Sequence, residues 1–162
     1  METYQVGIIA TVVFSVWLFY AVYSWRRNRS RQEKFLPKPE IFSSPNADSW
    51  IPAFYVATVF ESEPLKRVLA HGLTYRGFAK VIFDSKGIGI SRVGEIPLLI
   101  PMENIISVDS SSSALDKAVE RDGITLINWK LGETNLQTQL RFQNLENRQT
   151  ALDYLSKMGI GK

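Results

Sequence analysis

The feature that most constrains this chain is an uncharged apolar run near its start. No charged residue occurs between Glu2 and Arg26, and the run VGIIATVVFSVWLFYAVYSW extends from Val6 to Trp25. Because a helix rises about 1.5 Å per residue, about 20 residues span the ~30 Å hydrocarbon core of a bilayer. In lipid the backbone must satisfy its own hydrogen bonds, which favours a helix even for Val, Ile and Phe. The run therefore predicts a transmembrane helix within residues 1–25.

A cleaved signal peptide is the main alternative for this run. Signal peptides begin with positive residues, carry a shorter apolar stretch and end in a small-residue cleavage site. This chain begins Met-Glu-Thr, and its apolar run ends in Tyr-Ser-Trp-Arg-Arg with no A-x-A pattern before the basic residues. We therefore expect the helix to remain as a single membrane anchor.

A cluster of basic residues follows the apolar run directly. It consists of Arg26, Arg27, Arg29, Arg31 and Lys34. Positive residues that flank a spanning helix stay on the cytoplasmic side. The cluster predicts an N-terminus outside the cell and a C-terminal domain at the cytoplasmic face of the plasma membrane. Such clusters also attract anionic lipid, by about 1 kcal/mol per residue near the membrane surface.

Three small residues recur at every fourth position of the apolar run, namely Gly7, Thr11 and Ser15. In a helix they share one face, and faces of this kind let membrane helices approach each other closely. The stripe is therefore a candidate helix-packing surface, although isolated Gly, Thr and Ser are also common in membrane helices.

The rest of the chain is balanced in charge and poor in metal-binding side chains. Residues 41–162 contain thirteen basic and thirteen acidic residues, so the excess positive charge belongs to the segment 26–40. A nucleic-acid-binding domain usually shows a clustered basic face, so no nucleic-acid partner is expected. The chain has no cysteine and a single histidine, His71. Disulfides, thiolate chemistry and a histidine-rich metal site are therefore excluded for one chain.

The chain changes character after the basic cluster. Four prolines between residues 37 and 52 disfavour a continuing helix, so residues 26–51 are predicted to form a basic juxtamembrane and proline-rich linker. From residue 52 to 162, short stretches such as ITLINWKL and LQTQLRF alternate apolar and polar residues, which is typical of half-buried strands. Turn sequences such as DSKG and GETN separate these stretches. We predict one domain of about seven short strands, in a β-barrel or sandwich.

The last part of the domain has helical periodicity. In NLENRQTALDYLSKMG, Asn144 is a good N-cap and Gly159 follows the predicted end. The predicted buried face consists of Leu145, Ala151, Leu152, Leu155 and Met158. Such a helix would close an open end of the barrel, so Leu152→Asp is expected to destabilise the domain.

About seven strands followed by one helix resemble the pleckstrin-homology-like (PH-like) fold. Three stretches extend this resemblance: HGLTYRG, GIGISRVGEIPLLIP and INWKLGETNLQTQLRF are similar to segments of a family of small actinobacterial membrane proteins. Members have one N-terminal membrane helix, a basic flank and a cytoplasmic PH-like domain. Asn128, where Thr is expected, and the serine run at 110–113 depart from the family pattern. The resemblance implies a mainly β architecture, with an N-terminal transmembrane helix and a PH-like domain closed by a C-terminal helix. It implies no assigned chemistry.

The sequence contains no recognisable catalytic constellation. His71 with Asp84 or Asp109 and a serine could be imagined as a triad, but nothing in their spacing supports one. Basic residues in the first half of the β region are candidates for an anion site, although acidic residues are interleaved with them: Lys66, Arg67, Arg76, Lys80, Lys86 and Arg92. We therefore predict no enzyme, cofactor, metal or small-molecule substrate.

Exposed loops remain as candidate contact surfaces, since loops often carry binding residues. They are the turn Asp84, Ser85, Lys86, Gly87 and the run Ser110, Ser111, Ser112, Ser113. The leading interpretation is a non-enzymatic, membrane-anchored protein-interaction module, that is, a scaffold or adaptor for an unidentified protein partner. One alternative is an accessory subunit of an integral-membrane complex that packs through its transmembrane helix. Another is a sensor of anionic lipid headgroups.

Overall fold

A single long helix and a β domain make up the part of the chain that the computed structural model describes, which comprises residues 3–43, 50–111, 123–157 and 159. Helix α1 covers Thr3–Phe35, 33 residues. It is long and apolar enough to cross a membrane, and no residue of its most apolar stretch is buried against the rest of the chain. Large side chains such as Trp17 and Phe19 are therefore exposed, and a bilayer is the environment that suits them.

Helix α1 continues beyond the apolar run, through the whole basic cluster. Arg, Lys, Gln and Glu are good helix formers, and the Arg29 guanidinium pairs with the Glu33 carboxylate one turn later, with Nε and Oε1 2.9 Å apart. The helix ends at Phe35, just before Pro37, which cannot continue it. Helix α1 thus continues ten residues past residue 25, and the strand Ile51–Phe60 begins at Ile51. Residues 44–49 of the predicted linker lie outside the described residues.

Within the described residues, nine antiparallel strands form one sheet: β1 Glu40–Ile41, β2 Ile51–Phe60, β3 Glu63–Arg67, β4 Gly77–Asp84, β5 Gly87–Arg92, β6 Leu98–Pro101, β7 Ile105–Ser111, β8 Ile124–Leu131 and β9 Thr134–Phe142. Their order is β1-β6-β5-β4-β2-β9-β8-β7, with β3 paired to β2. A short 3-10 helix, Met102–Asn104, joins β6 to β7. The mainly β fold and its C-terminal helix confirm the predicted fold class.

The predicted hairpins form where the turn sequences indicated. Asp84 pairs with Gly87 across a two-residue turn, and Leu131 pairs with Thr134 across another. Strand β3 ends at Arg67, and residues 68–76 form an irregular segment before β4. The two-residue strand β1 was not expected from the sequence.

The core lies between the inner faces of the curved sheet. The alternating residues of β8 and β9 are buried as predicted, with Trp129 and Leu136 fully enclosed. Trp129 also donates its indole N–H to the Thr138 hydroxyl, 2.9 Å away, so its polar atom is satisfied. The outer face of β4, β5 and β6 carries a smaller cluster of Phe42, Ile82 and Leu99. The segment after α1 therefore packs against the domain.

Helix α2, Leu145–Lys157, follows β9 and is capped as predicted: the Asn144 carboxamide oxygen accepts the Asn147 backbone N–H at 2.8 Å. Its buried face is narrower than the predicted one. Ala151 and Leu155 are the buried residues, while Leu145 is exposed and Leu152 retains 36% of its accessible surface. The Met158 side chain lies outside the described part. The expectation that Leu152 is buried is therefore wrong, because the face of α2 that the sheet covers is centred on positions 151 and 155, one turn apart.

Candidate functional site at the junction of helix and domain

The end of α1 is attached to the β domain by buried contacts. Gln32 is buried, and its side-chain oxygen accepts the backbone N–H of Leu69 at 2.6 Å. One turn later Leu36 enters the main core. The rings of Phe35 and Phe60 stack with their centroids 6.2 Å apart. Helix α1 and the domain are thus joined through packed side chains as well as through the chain itself.

His71 completes this junction from the domain side. Its Nε2 lies 2.9 Å from the Leu36 carbonyl oxygen, and because a carbonyl can only accept, Nε2 must carry the proton. The backbone of His71 has φ 53°, a left-handed conformation that non-glycine residues seldom adopt, and Gly72 follows with φ 74°. These two residues turn the 68–76 segment so that the imidazole faces the end of α1. We therefore assign His71 a structural role at the junction.

A cleft of about 550 Å³ opens between α1 and the β domain. Trp25, Arg29 and Glu33 line it on the helix side. The opposite wall comes from β1, from the 68–76 segment and from the loop that joins β5 to β6, and it includes Ile41, His71, Arg92, Glu95 and Ile96. On the helix side the cleft therefore runs from Trp25, the last residue of the apolar run, to Glu33, which is about 12 Å further along the helix axis.

Arg92 is the most unusual charged residue of the cleft, because it retains only 4% of its accessible surface. Its Nη1 donates to the Gly72 carbonyl at 2.7 Å and its Nη2 to the Ile96 carbonyl at 3.2 Å. The guanidinium lies over the Tyr55 ring, 5.1 Å from its centroid, and Nε has no hydrogen-bond partner. Among the described residues no carboxylate pairs with Arg92. The site therefore holds a buried positive charge that only carbonyl dipoles and a ring compensate.

The neighbouring Tyr55 is fully enclosed, and burial raises the pKa of its phenol, because the ionised form would lose its solvation. The nearby positive charge of Arg92 acts in the opposite direction. The Tyr55 hydroxyl bonds to the Thr58 hydroxyl, which in turn bonds to that of Thr138 at 2.8 Å. Tyr55 thus stays neutral and links β2 to β9 below the cleft.

The predicted interaction loops lie away from this junction. The turn Asp84–Gly87 follows β4, which runs from the 68–76 segment, beside the cleft, to the opposite end of the sheet. Ser110 and Ser111 end β7 and pair with the first residues of β8. The other end of β8 leads into the turn at Gly132, which lies next to Pro37, just after α1. Each loop is therefore about 26 Å, one eight-residue strand, from the end of the domain where α1 docks. Ser112 and Ser113 lie outside the described residues.

The structure does not join the two loops into one surface. The backbone N–H of Met102 donates to the Lys86 carbonyl at 3.0 Å, which places the Asp84–Gly87 turn near the start of β7. Ser111 lies at the other end of the same strand. Ser85 and Lys86 are exposed, and the Asp84 side chain accepts the Ser85 backbone N–H at 2.6 Å, which stabilises the turn.

Other residues singled out from the sequence are also dispersed. His71 lies at the junction, Asp84 at the opposite end of the sheet, and Asp109 accepts a hydrogen bond from Asn128 at 2.8 Å on β8. Of the six candidate anion-binding residues, Arg92 lines the cleft and Lys66 pairs with Glu63, its Nζ 2.9 Å from Oε1. Sequence reasoning missed the docking role of Gln32, although Gln32, Phe35 and Leu36 have the i, i+3, i+4 spacing of a contact face.

Together, these features define a PH-like β domain, with an antiparallel sheet and a C-terminal helix, preceded by a helix that can span a membrane. A family model described as bacterial PH domain-like matches residues 34–156, and the chain belongs to this family. The match begins two residues before Leu36, so it includes the segment that enters the core after α1. No curated protein matches the chain. A PH-like domain behind a candidate membrane helix fits a membrane-associated interaction module.

Proposed function

We propose that this chain is a non-enzymatic scaffold or adaptor of the plasma membrane. In this proposal α1 crosses the bilayer once, with its N-terminus outside, and the PH-like domain binds a protein partner at the cytoplasmic face. PH-like domains are generally non-catalytic, which supports the absence of an enzymatic role. The proposal includes the finer similarity to actinobacterial single-pass proteins that the three sequence stretches indicate.

The observation that carries the proposal is the attachment of α1 to one end of the sheet. Through Gln32 and Leu36 the membrane helix holds the domain close to the headgroups. In this proposal the Asp84–Gly87 turn and the end of β7 are two separate cytoplasmic loops, each about one strand length from the end of the domain where α1 docks. A partner that reaches the membrane would meet these loops first.

The anchor also explains how a small contact surface on the domain is enough to bind a partner. Binding at a membrane replaces a search through the cytoplasm by a search within a thin layer, so the anchor raises the effective concentration of the domain for a membrane-associated partner. The described part of the domain offers exposed loops and balanced surface charge, which suits protein recognition better than nucleic-acid binding.

The test is cross-linking and affinity purification of the full chain from native membranes. Replacing Ser110–Ser113 with glycines should preserve folding and abolish recovery of the partner. The matched control replaces Glu61 and Ser62 with glycines, in the exposed turn between β2 and β3 at the membrane-proximal end, and should leave recovery unchanged. Equal recovery with both variants would refute the loop assignment.

The accessory-subunit alternative predicts a different result. In α1 the Thr11 hydroxyl donates to the Gly7 carbonyl at 2.9 Å and the Ser15 hydroxyl to the Thr11 carbonyl at 2.8 Å. Both hydroxyls are thus hydrogen-bonded within the helix. The stripe of Gly7, Thr11 and Ser15 would therefore bind another membrane helix by close packing, without hydrogen bonds between the helices. Loss of the partner only when α1 is exchanged for an unrelated spanning helix would support this alternative.

A further inference from the structure

The cleft between α1 and the domain lies where a bilayer would have its headgroups. Trp25 is the last residue of the apolar run and the basic cluster follows it, so both features mark the interface between lipid and water. Trp25 lines the cleft on one side, and Glu95 and Ile96 line it on the other. A space of about 550 Å³ is only a few side chains wide, so the β5–β6 loop also lies at headgroup depth.

The rim of the cleft is unusually apolar for an exposed surface. Ile41 on β1 and Ile96 in the β5–β6 loop both line the cleft and are 62% and 65% exposed, and Val93 in the same loop is 74% exposed. Isolated exposed apolar residues are ordinary, but two that share a cleft with an interfacial tryptophan, with a third in the same loop, form a surface that lipid would cover. With α1 in a bilayer, as proposed above, Trp25 places this rim at the depth where lipid would cover it.

The cleft is lined by charges of both signs, of which Arg92 is buried and Lys38, Glu40 and Glu95 are exposed at its rim. Arg29 and Glu33 neutralise each other. Of the remaining lining residues, Arg92 and Lys38 are positive and Glu40 and Glu95 are negative, and none of these four has an ion-pair partner within the described part of the chain. Arg92 is in addition almost completely buried with its Nε unpartnered. A ligand with a single negative charge would satisfy only half of this set.

We propose that the cleft binds the headgroup of a zwitterionic phospholipid that carries both a phosphate and a primary ammonium. The phosphate would lie near Arg92 and Lys38, the ammonium near Glu40 and Glu95, and the acyl chains would leave past Ile41 and Ile96. Half of this site belongs to α1 and the segment after it, so the site exists only when the helix is docked. The proposal rests on the membrane placement proposed above but does not involve the protein partner or its loops.

The depth of the β5–β6 loop can be measured in the full chain reconstituted into phosphatidylethanolamine-containing vesicles. Because the chain has no cysteine, each single-cysteine variant carries one fluorophore. A label at Ile96→Cys should be quenched by lipids brominated in the upper acyl chain, and a label at Ser85→Cys, in the turn at the opposite end, should not. Equal quenching at both positions, or at neither, in protein that floats with the vesicles would overturn the lipid contact while leaving the anchor in place.

Headgroup selectivity is tested by native mass spectrometry of the full chain in detergent with phosphatidylethanolamine or phosphatidylglycerol added at equal concentration. We expect phosphatidylethanolamine to be retained about tenfold more, which corresponds to about 1.4 kcal/mol. Glu95→Gln should remove most of this preference, whereas Glu103→Gln, an exposed carboxylate outside the cleft, should keep it. Equal retention, or stronger retention of phosphatidylglycerol, would overturn the zwitterionic assignment. Neither result depends on partner capture, so failure here is distinguishable from failure of the scaffold proposal.

Discussion

Removing the Leu36 side chain tests the attachment of α1 to the domain most directly. Leu36 retains only 2% of its accessible surface and belongs to the main core. Truncating a buried leucine to alanine costs about 2 to 5 kcal/mol, since apolar burial is lost and a cavity remains. A loss of about 3 kcal/mol would lower the melting temperature of a domain of this size by about 10 °C. We expect Leu36→Ala to reach this magnitude although it lies outside the strands and α2.

The measurement uses a soluble fragment of residues 26–162, which keeps the last turns of α1, and follows unfolding by circular dichroism in heat and in urea. The matched control is Leu65→Ala, in a leucine that is 84% exposed on β3, and it should change the stability by no more than about 0.5 kcal/mol. If Leu36→Ala and Leu65→Ala have the same small effect, Leu36 is not part of the core and the docking of α1 is wrong.

Three further predictions concern topology, α2 and pH. Protease added to intact spheroplasts should spare the β domain, and digestion beyond residue 41 would reverse the proposed orientation. Leu155→Asp should cost several kcal/mol in denaturant titrations because it buries an unpaired charge, whereas Leu152→Asp, at a partly exposed position, should cost much less; equal effects would contradict the observed face of α2. Because burial raises the pKa of Tyr55 above its usual 10.0, the phenol's contribution to stability is complete below that pH and is lost as the pH rises toward the folded value. Tyr55→Phe should therefore reduce the fall in unfolding free energy with rising alkaline pH, measured by denaturant titration. An unchanged dependence on pH would argue against a raised pKa for Tyr55.

Much of the fold could be predicted because it depends on local patterns. The strands β8 and β9 follow from strict alternation, and their turn follows from the Gly-Glu pair between them, where Gly132 has φ 60°. The cap of α2 at Asn144 is equally local, since its side chain reaches a backbone N–H only three residues away. The width of the buried face of α2 was predicted wrongly, because it depends on how the helix lies against the sheet and not on its own periodicity.

The candidate cleft could not be predicted, because its walls come from distant parts of the chain. Arg92 was noted only as one of six basic residues, and its burial depends on Gly72 and Ile96 carbonyls that the fold brings to it. The proline-rich segment suggested a separate linker, yet Phe42 lies against Gly89, where any Cβ would be 2.8 Å from the ring. The close fit of ring and glycine becomes visible only when β5 is in place.

The sequence alone determined that the chain has a helix apolar enough to span a membrane, that basic residues follow this helix, and that apolar and polar residues alternate along the strands. These properties follow from composition and period, which are fixed by neighbouring residues along the chain. Only the tertiary structure decided that α1 docks on the domain and forms one wall of a cleft. That docking depends on two hydrogen bonds: the Leu69 backbone N–H donates to the Gln32 side-chain oxygen, and the His71 imidazole donates to the Leu36 carbonyl. These bonds join residues 37 and 35 positions apart. Such contacts form when the folded sheet presents the 68–76 segment to the end of the helix, and no local pattern in the sequence encodes where that segment will lie.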